Sequence, residues 1–211
     1  MKFSLLALCS VLFLSACASM RVTRTEVATG AAHPKAIYIR PFSVKNTIFT
    51  DRGNPNGEAI RRSQAPIAFA EILQEELMKI APARVLAPDE VAPTGWLVEG
   101  EFDVIHSGRH PSCLVLHVRV TEIGATGYVS ESDFKTGVSV YDSISTPRGR
   151  IIYAFDVAGG SQATFAFGSV NAPGLGRALP FDFRNAAERI MLALSPDPFR
   201  YGYRQTPVAR Q

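Results

Sequence analysis

The chain has 211 residues, of which 46% are hydrophobic and 19% charged, with a formal net charge of +3. This is the composition of one globular domain of ordinary size, not of a disordered chain. Charge so near balance does not imply nucleic-acid binding, which usually needs a basic stripe.

The N-terminus reads as an export leader. Lys2 supplies a positive charge, residues 3–14 (FSLLALCSVLFL) are apolar, and small residues follow. This is the layout of a signal peptide. The tetrad Leu14-Ser15-Ala16-Cys17 has the pattern of a lipobox, in which a large aliphatic residue and two small ones admit a membrane peptidase. The sequence therefore predicts a leader over residues 1–16, cleavage before Cys17, and a diacylglyceryl group on the Cys17 thiol. The competing reading is an uncleaved membrane anchor, because no charge stands between Lys2 and Arg21. Ser4, Ser10, Ser15 and Ser19 dilute that stretch, and the strongly apolar part stops at Leu14. Each buried methylene contributes about 0.8 kcal/mol, so two or more acyl chains hold a protein on a bilayer where one does not. Ala18 follows the cysteine where Asp would be the usual inner-membrane retention signal. By resemblance to sorted lipoproteins, the expected destination is the periplasmic face of the outer membrane. With Cys9 in the leader and Cys17 acylated, Cys113 remains as a lone thiol, which leaves no intrachain disulfide framework.

Residues 17–35 read as a lipidated tether reaching at most roughly 60 Å, and a single globular domain is expected over 36–195. AIYIRPF (36–42) alternates like a strand that Pro41 ends or places on an edge. Residues 45–62 read as a long loop. Ser63 is the predicted cap of a helix with Pro66 in its first turn, and Phe69, Ile72, Leu73, Leu77 and Ile80 form its apolar face. A short strand is expected at 84–87. Residues 96–105 set Trp96, Val98, Phe102 and Val104 against Glu99, Glu101 and Asp103. Residues 114–123 set Leu114, Leu116, Val118 and Val120 against His117, Arg119 and Thr121. A weaker strand is expected at 137–144, a turn at 146–149, and a last strand marked by Ile151, Tyr153, Phe155 and Val157. Residues 158–181 read as irregular. Asp182 is the predicted cap of a second helix carrying Phe183, Ala187, Ile190 and Leu194, and residues 196–211 form a flexible tail. The order predicts a two-layer α/β sandwich: a mixed, mostly antiparallel sheet of five to six strands, with two helices on one face.

Few constellations carry chemistry. His110, Cys113 and His117 have the residue types of a zinc site, but a structural site normally takes four ligands and a catalytic site three. The plainer reading is a strand cysteine with solvated histidines. Cys113 with His117 or His106 as a nucleophile lacks any family signature. Glu99, Glu101 and Asp103 share a strand face at roughly 6.5–7 Å spacing, which is the range of a glycosidase carboxylate pair but also the pattern of any half-buried strand. Gly174-Leu175-Gly176 fails as a nucleotide loop, since position 179 is Leu and no strand feeds directly into it. The tail mixes Arg200, Arg204 and Arg210 with Phe199, Tyr201 and Tyr203, a composition suited to anionic headgroups or a protein groove.

In order, the segments AIYIRPF, LQEELMKI, WLVEGEF, HVRVTE, FDVAGGS and NAAERI resemble a bacterial lipoprotein family known as domain of unknown function 4410. The resemblance spans most of residues 36–194 and brings no catalytic residue. The sequence expectation is a lipid-anchored envelope protein, an accessory or binding module of an outer-membrane or periplasmic assembly. Its membrane contact is lipid on Cys17, an envelope protein is its expected partner, and no cofactor, metal or catalytic residue is assigned. The alternatives are an envelope hydrolase using the Glu99/Glu101 pair and an auxiliary lipoprotein of a transport system.

Overall fold

The computed structural model describes residues 20–27, 33–50, 55–106, 112–124, 149–160 and 178–196. Seven strands and two helices follow in the order β1 (Arg21–Val27), β2 (Ile37–Ile39), β3 (Ile48–Thr50), α1 (Pro55–Leu77), β4 (Ala83–Val85), β5 (Gly95–His106), β6 (Cys113–Ile123), β7 (Gly149–Gly159) and α2 (Ala178–Leu194). The strands form one mixed sheet in the order β1-β7-β6-β5-β2-β4, with β3 also paired to β5. The α/β class expected from the sequence holds, with a slightly larger sheet.

Parallel and antiparallel parts divide along the chain. The short strands β2 and β4 run parallel to each other, and β2 and β3 run parallel to β5. Parallel neighbours need a crossover, and α1 lies in the one that joins β2 to β4. β5, β6 and β7 form an antiparallel meander, and β1 adds antiparallel to β7. Pro41, which cannot donate to a ladder, follows the end of β2, as its chemistry demands.

One face of the sheet packs under both helices. Val98, Phe102, Leu114, Leu116, Val118, Val120, Phe155 and Val157 meet Phe69 and Leu73 of α1 and Phe183, Ala187 and Ile190 of α2 in one buried cluster. At its centre Phe69 touches Phe42, Phe102 and Phe183, with ring centroids 5.0, 5.3 and 5.3 Å apart. Edge-on contacts of this kind add to simple area burial and lock the two helices to the sheet. Gly100 leaves room for this packing, since a Cβ there would lie 2.1 Å from the His117 carbonyl oxygen and 2.5 Å from the Phe42 ring.

Five sequence expectations are corrected. Residues 21–27, expected within the tether, form β1, held by its backbone pairing to β7. Residues 48–50, expected in a loop, form β3, which extends the parallel edge of β5 beyond the Ser43–Glu101 bridge. α1 starts at Pro55 rather than after Ser63, because Pro suits the first helical position; Pro66 consequently falls inside the helix. α2 starts at Ala178, four residues before Asp182, because Leu179 is also buried in the core. Lastly, bulges shift two strand patterns. Between Phe102 and Val104 the extra residue Asp103 lets Ile105, not Val104, enter the core, and Ile152 rather than Ile151 is buried on β7. The strand expected at 137–144 lies outside the described residues, as do the leader, Cys17 and residues 197–211.

Candidate functional site

The face of the sheet opposite the helices is polar. Strand register aligns its side chains into rows that cross the sheet. One row runs Ser43, Glu101, His117, Asp156 and Thr23, from beside β5 to the outer edge strand. The next contains Glu99, Arg119 and Ala154. A third joins Arg84, Tyr38, Leu97 and Thr121, where Leu97 belongs to a small second apolar cluster with Leu86, Ala92 and Ile123. This arrangement follows from period-two alternation, since the apolar partners of each strand are spent on the helix side.

Opposite charges are matched between neighbouring segments. Arg119 donates to Glu99 Oε1 through Nε at 3.0 Å and also through Nη2. Arg40 Nη1 stands 3.6 Å from the other oxygen, Glu99 Oε2. Arg84 donates to both oxygens of Glu90, at 3.0 and 2.5 Å, and its guanidinium lies 5.2 Å from the Tyr38 ring centroid. The Arg84 hydrogen bond is the first cause holding the Glu90 carboxyl below its ordinary range, followed by the Ala87 N–H. Off this face, in the row of Trp96, Arg150 reaches Glu122 at 3.1 Å.

The centre of the face is His117. Its Nε2 lies 2.7 Å from Asp103 Oδ2, and its Nδ1 contacts Asp156 Oδ1. Asp103 comes from β5 and Asp156 from β7, so one ring links three adjacent strands. Asp103 is presented by the bulge after Phe102, which interrupts the regular pairing at that point. Partial burial opposes a charge on this ring. The hydrogen bond to Asp156 and the charge of Asp103 outweigh it and raise the His117 pKa above its ordinary value.

The candidates named from the sequence separate in space and chemistry. His110, Cys17 and the Gly174–Gly176 segment lie outside the described residues. Among those described, no group of three His, Cys, Asp or Glu side chains is arranged to hold a metal ion. His117 has both ring nitrogens directed at carboxylates. His106 is paired with Thr50, whose Oγ1 lies 2.6 Å from Nδ1. Burial, and then the negative charge of Asp182, push the Cys113 thiol above its ordinary pKa, which keeps it protonated and a poor nucleophile. Glu99 has both oxygens engaged by arginines, whereas Glu101 is 5% exposed between Ser43 and His117. The two do not form an open pair flanking a substrate.

The Asp103–His117–Asp156 contact was not legible as a unit. Asp103 and His117 each stand out as polar positions on alternating strands, and Asp156 is flanked by Phe155 and Val157 in the same way. Only the register brings the three together.

No helix among the described residues is long and apolar enough to cross a membrane. No protein-family model and no curated protein sequence matches the chain. Among solved structures it is similar to a PelC dodecamer from Paraburkholderia phytofirmans, at 9% identity over 82% of this chain and 96% of that one, with a TM-score of 0.41.

Proposed function

We propose that the protein is an envelope lipoprotein, anchored by acyl chains on Cys17, whose domain serves as a non-enzymatic binding or accessory module of an outer-membrane or periplasmic assembly. The observation that carries this reading is the Leu14-Ser15-Ala16-Cys17 tetrad at the end of a twelve-residue apolar run. The chemistry of the open sheet face supports the second half. Its Glu99 carboxylate is neutralised by two arginines and its Cys113 thiol is held protonated, so neither is poised as a base or nucleophile. A broad polar face of matched charges suits recognition of another macromolecule, because complementary charge fixes register and partner choice.

The test is metabolic labelling with an alkyne fatty acid, comparing the natural chain with Cys17→Ala. Label on the natural protein and none on the variant, together with release of the variant from the membrane fraction, is the expected result. Label that persists in the variant would defeat the assignment.

A further inference from the structure

We propose that Asp103, His117 and Asp156 form a pH-sensitive clasp across β5, β6 and β7, closed while the ring carries both N–H groups and opened at its Asp103 arm when the ring loses one.

The number of available donors decides between the two states. Two carboxylates face the two ring nitrogens, at Nε2 and Nδ1. A carboxylate accepts and cannot donate, so both arms are hydrogen bonds only when the imidazole holds two protons. Neutral imidazole has one N–H and one lone pair. Loss of a proton to solvent therefore sets a lone pair against one carboxylate, and that arm must release. Asp156 stands in the regular ladder opposite His117 and keeps the remaining proton. The Asp103 arm releases, because its residue sits at a bulge where backbone pairing is already interrupted.

The surroundings favour the closed state. Among the described residues, the charged groups placed near the ring by register are Asp103 and Glu101 from β5, Asp156 from β7, and Arg119 two positions along β6 itself. Thr23 of β1 stands opposite Asp156 and adds no charge. The Asp156 hydrogen bond and the charge of Asp103 hold a proton on the ring, and Arg119 is already engaged by Glu99.

Opening has two consequences for the open face. It adds one unit of negative charge in the row that runs from Ser43 to Thr23. It also removes the Asp103–His117–Asp156 link between β5 and β7 on this face. The clasp stands on residues within the sheet and is independent of the lipid anchor.

The experiment is NMR of the His117 ring nitrogens in the purified protein across pH 5 to 10, the signal being assigned by its loss in His117→Asn. Two protonated nitrogens at the acid end of this range and a titration midpoint above about 6.5 are expected. Asp103→Asn and Asp156→Asn should each lower the midpoint by about half a unit to one unit, while Glu122→Gln, on the Arg150 pair, leaves it in place. A midpoint at or below the ordinary histidine value, or one that neither aspartate substitution moves, would overturn the clasp. Far-UV circular dichroism establishes that each variant is folded before its titration is read.

Discussion

Gly100 lies beneath the ring of Phe42 so closely that a single added methyl would overlap it, the nearest ring carbon standing 2.5 Å from the Cβ position. The carbonyl oxygen of His117 blocks the same space at 2.1 Å, and backbone in the middle of a ladder cannot swing aside. Gly100→Ala is therefore expected to destabilise the fold by about 3 kcal/mol, the upper part of the range for overpacking. Urea denaturation measures it, and a loss under about 1 kcal/mol would mean that the strand yields more easily than its packing implies.

Phe69 joins the two helices to the sheet through three other rings. Phe69→Ala should cost about 3–5 kcal/mol, since it leaves a cavity among Phe42, Phe102 and Phe183. Phe69→Leu, which keeps most of the volume, should cost roughly half as much. The comparison separates cavity from general intolerance, and equal losses would count against the cavity explanation.

Glu99 sits between Arg119 and Arg40 with its side chain only 12% exposed. Removing its charge leaves two guanidinium groups facing an uncharged amide. Glu99→Gln is expected to cost about 1–2 kcal/mol, which is more than an exposed pair is worth and less than a fully buried one. A double-mutant cycle with Arg119→Met isolates the pair, and a coupling near zero would show that the charges act independently.

Cys113 should be slow to react. Burial and the charge of Asp182 both favour its thiol form. In a variant carrying Cys9→Ala and Cys17→Ala, a disulfide reagent at about pH 8 should modify the folded protein well below the rate seen in urea. Equal rates before and after unfolding would contradict the burial.

Stability should also depend on pH through His117. Burial works against a charge on its ring, but the Asp156 hydrogen bond and the charge of Asp103 prevail and raise its pKa in the folded protein. A proton bound more tightly by the folded state contributes stability that is fully present below about pH 6.5 and lost as pH rises through the folded value. Thermal melting of the natural chain and His117→Asn should therefore differ most near about pH 6 and converge at alkaline pH. A gap that widens with rising pH would reverse the sign and exclude the stated cause.

Much of the architecture was written plainly in β5 and β6. Trp96, Val98 and Phe102 alternate with Glu99 and Glu101, and Leu114 through Val120 do the same on the facing strand, because one face is packed and the other is wet. What escaped were the irregularities. A bulge is an extra residue with no composition of its own, so nothing in Phe102-Asp103-Val104-Ile105 announces that Ile105 will take the inward place. β1 escaped for a related reason: Val22 and Val27 are five apart, which breaks period two, and the ladder itself shifts between Arg24 and Glu26. The β-branched Thr23 and Thr25 were the remaining signal. The first turns of α1 were hidden by Pro55, Asn56 and Gly57, residues that read as a loop until Pro55 is seen at the helix start. The charged rows of the open face needed register, which single strands do not encode; only the half-buried alternation of each member was visible.

Met20 is buried at 6% exposure and β1 begins at the next residue, so three residues separate the ordered sheet from position 17. Fully stretched, those residues span about 11 Å. A chain pulled from that side has almost no slack to take up. The load passes directly into the hydrogen bonds between β1 and β7, which makes this outer edge of the sheet the part of the fold that bears any strain arriving from the N-terminus.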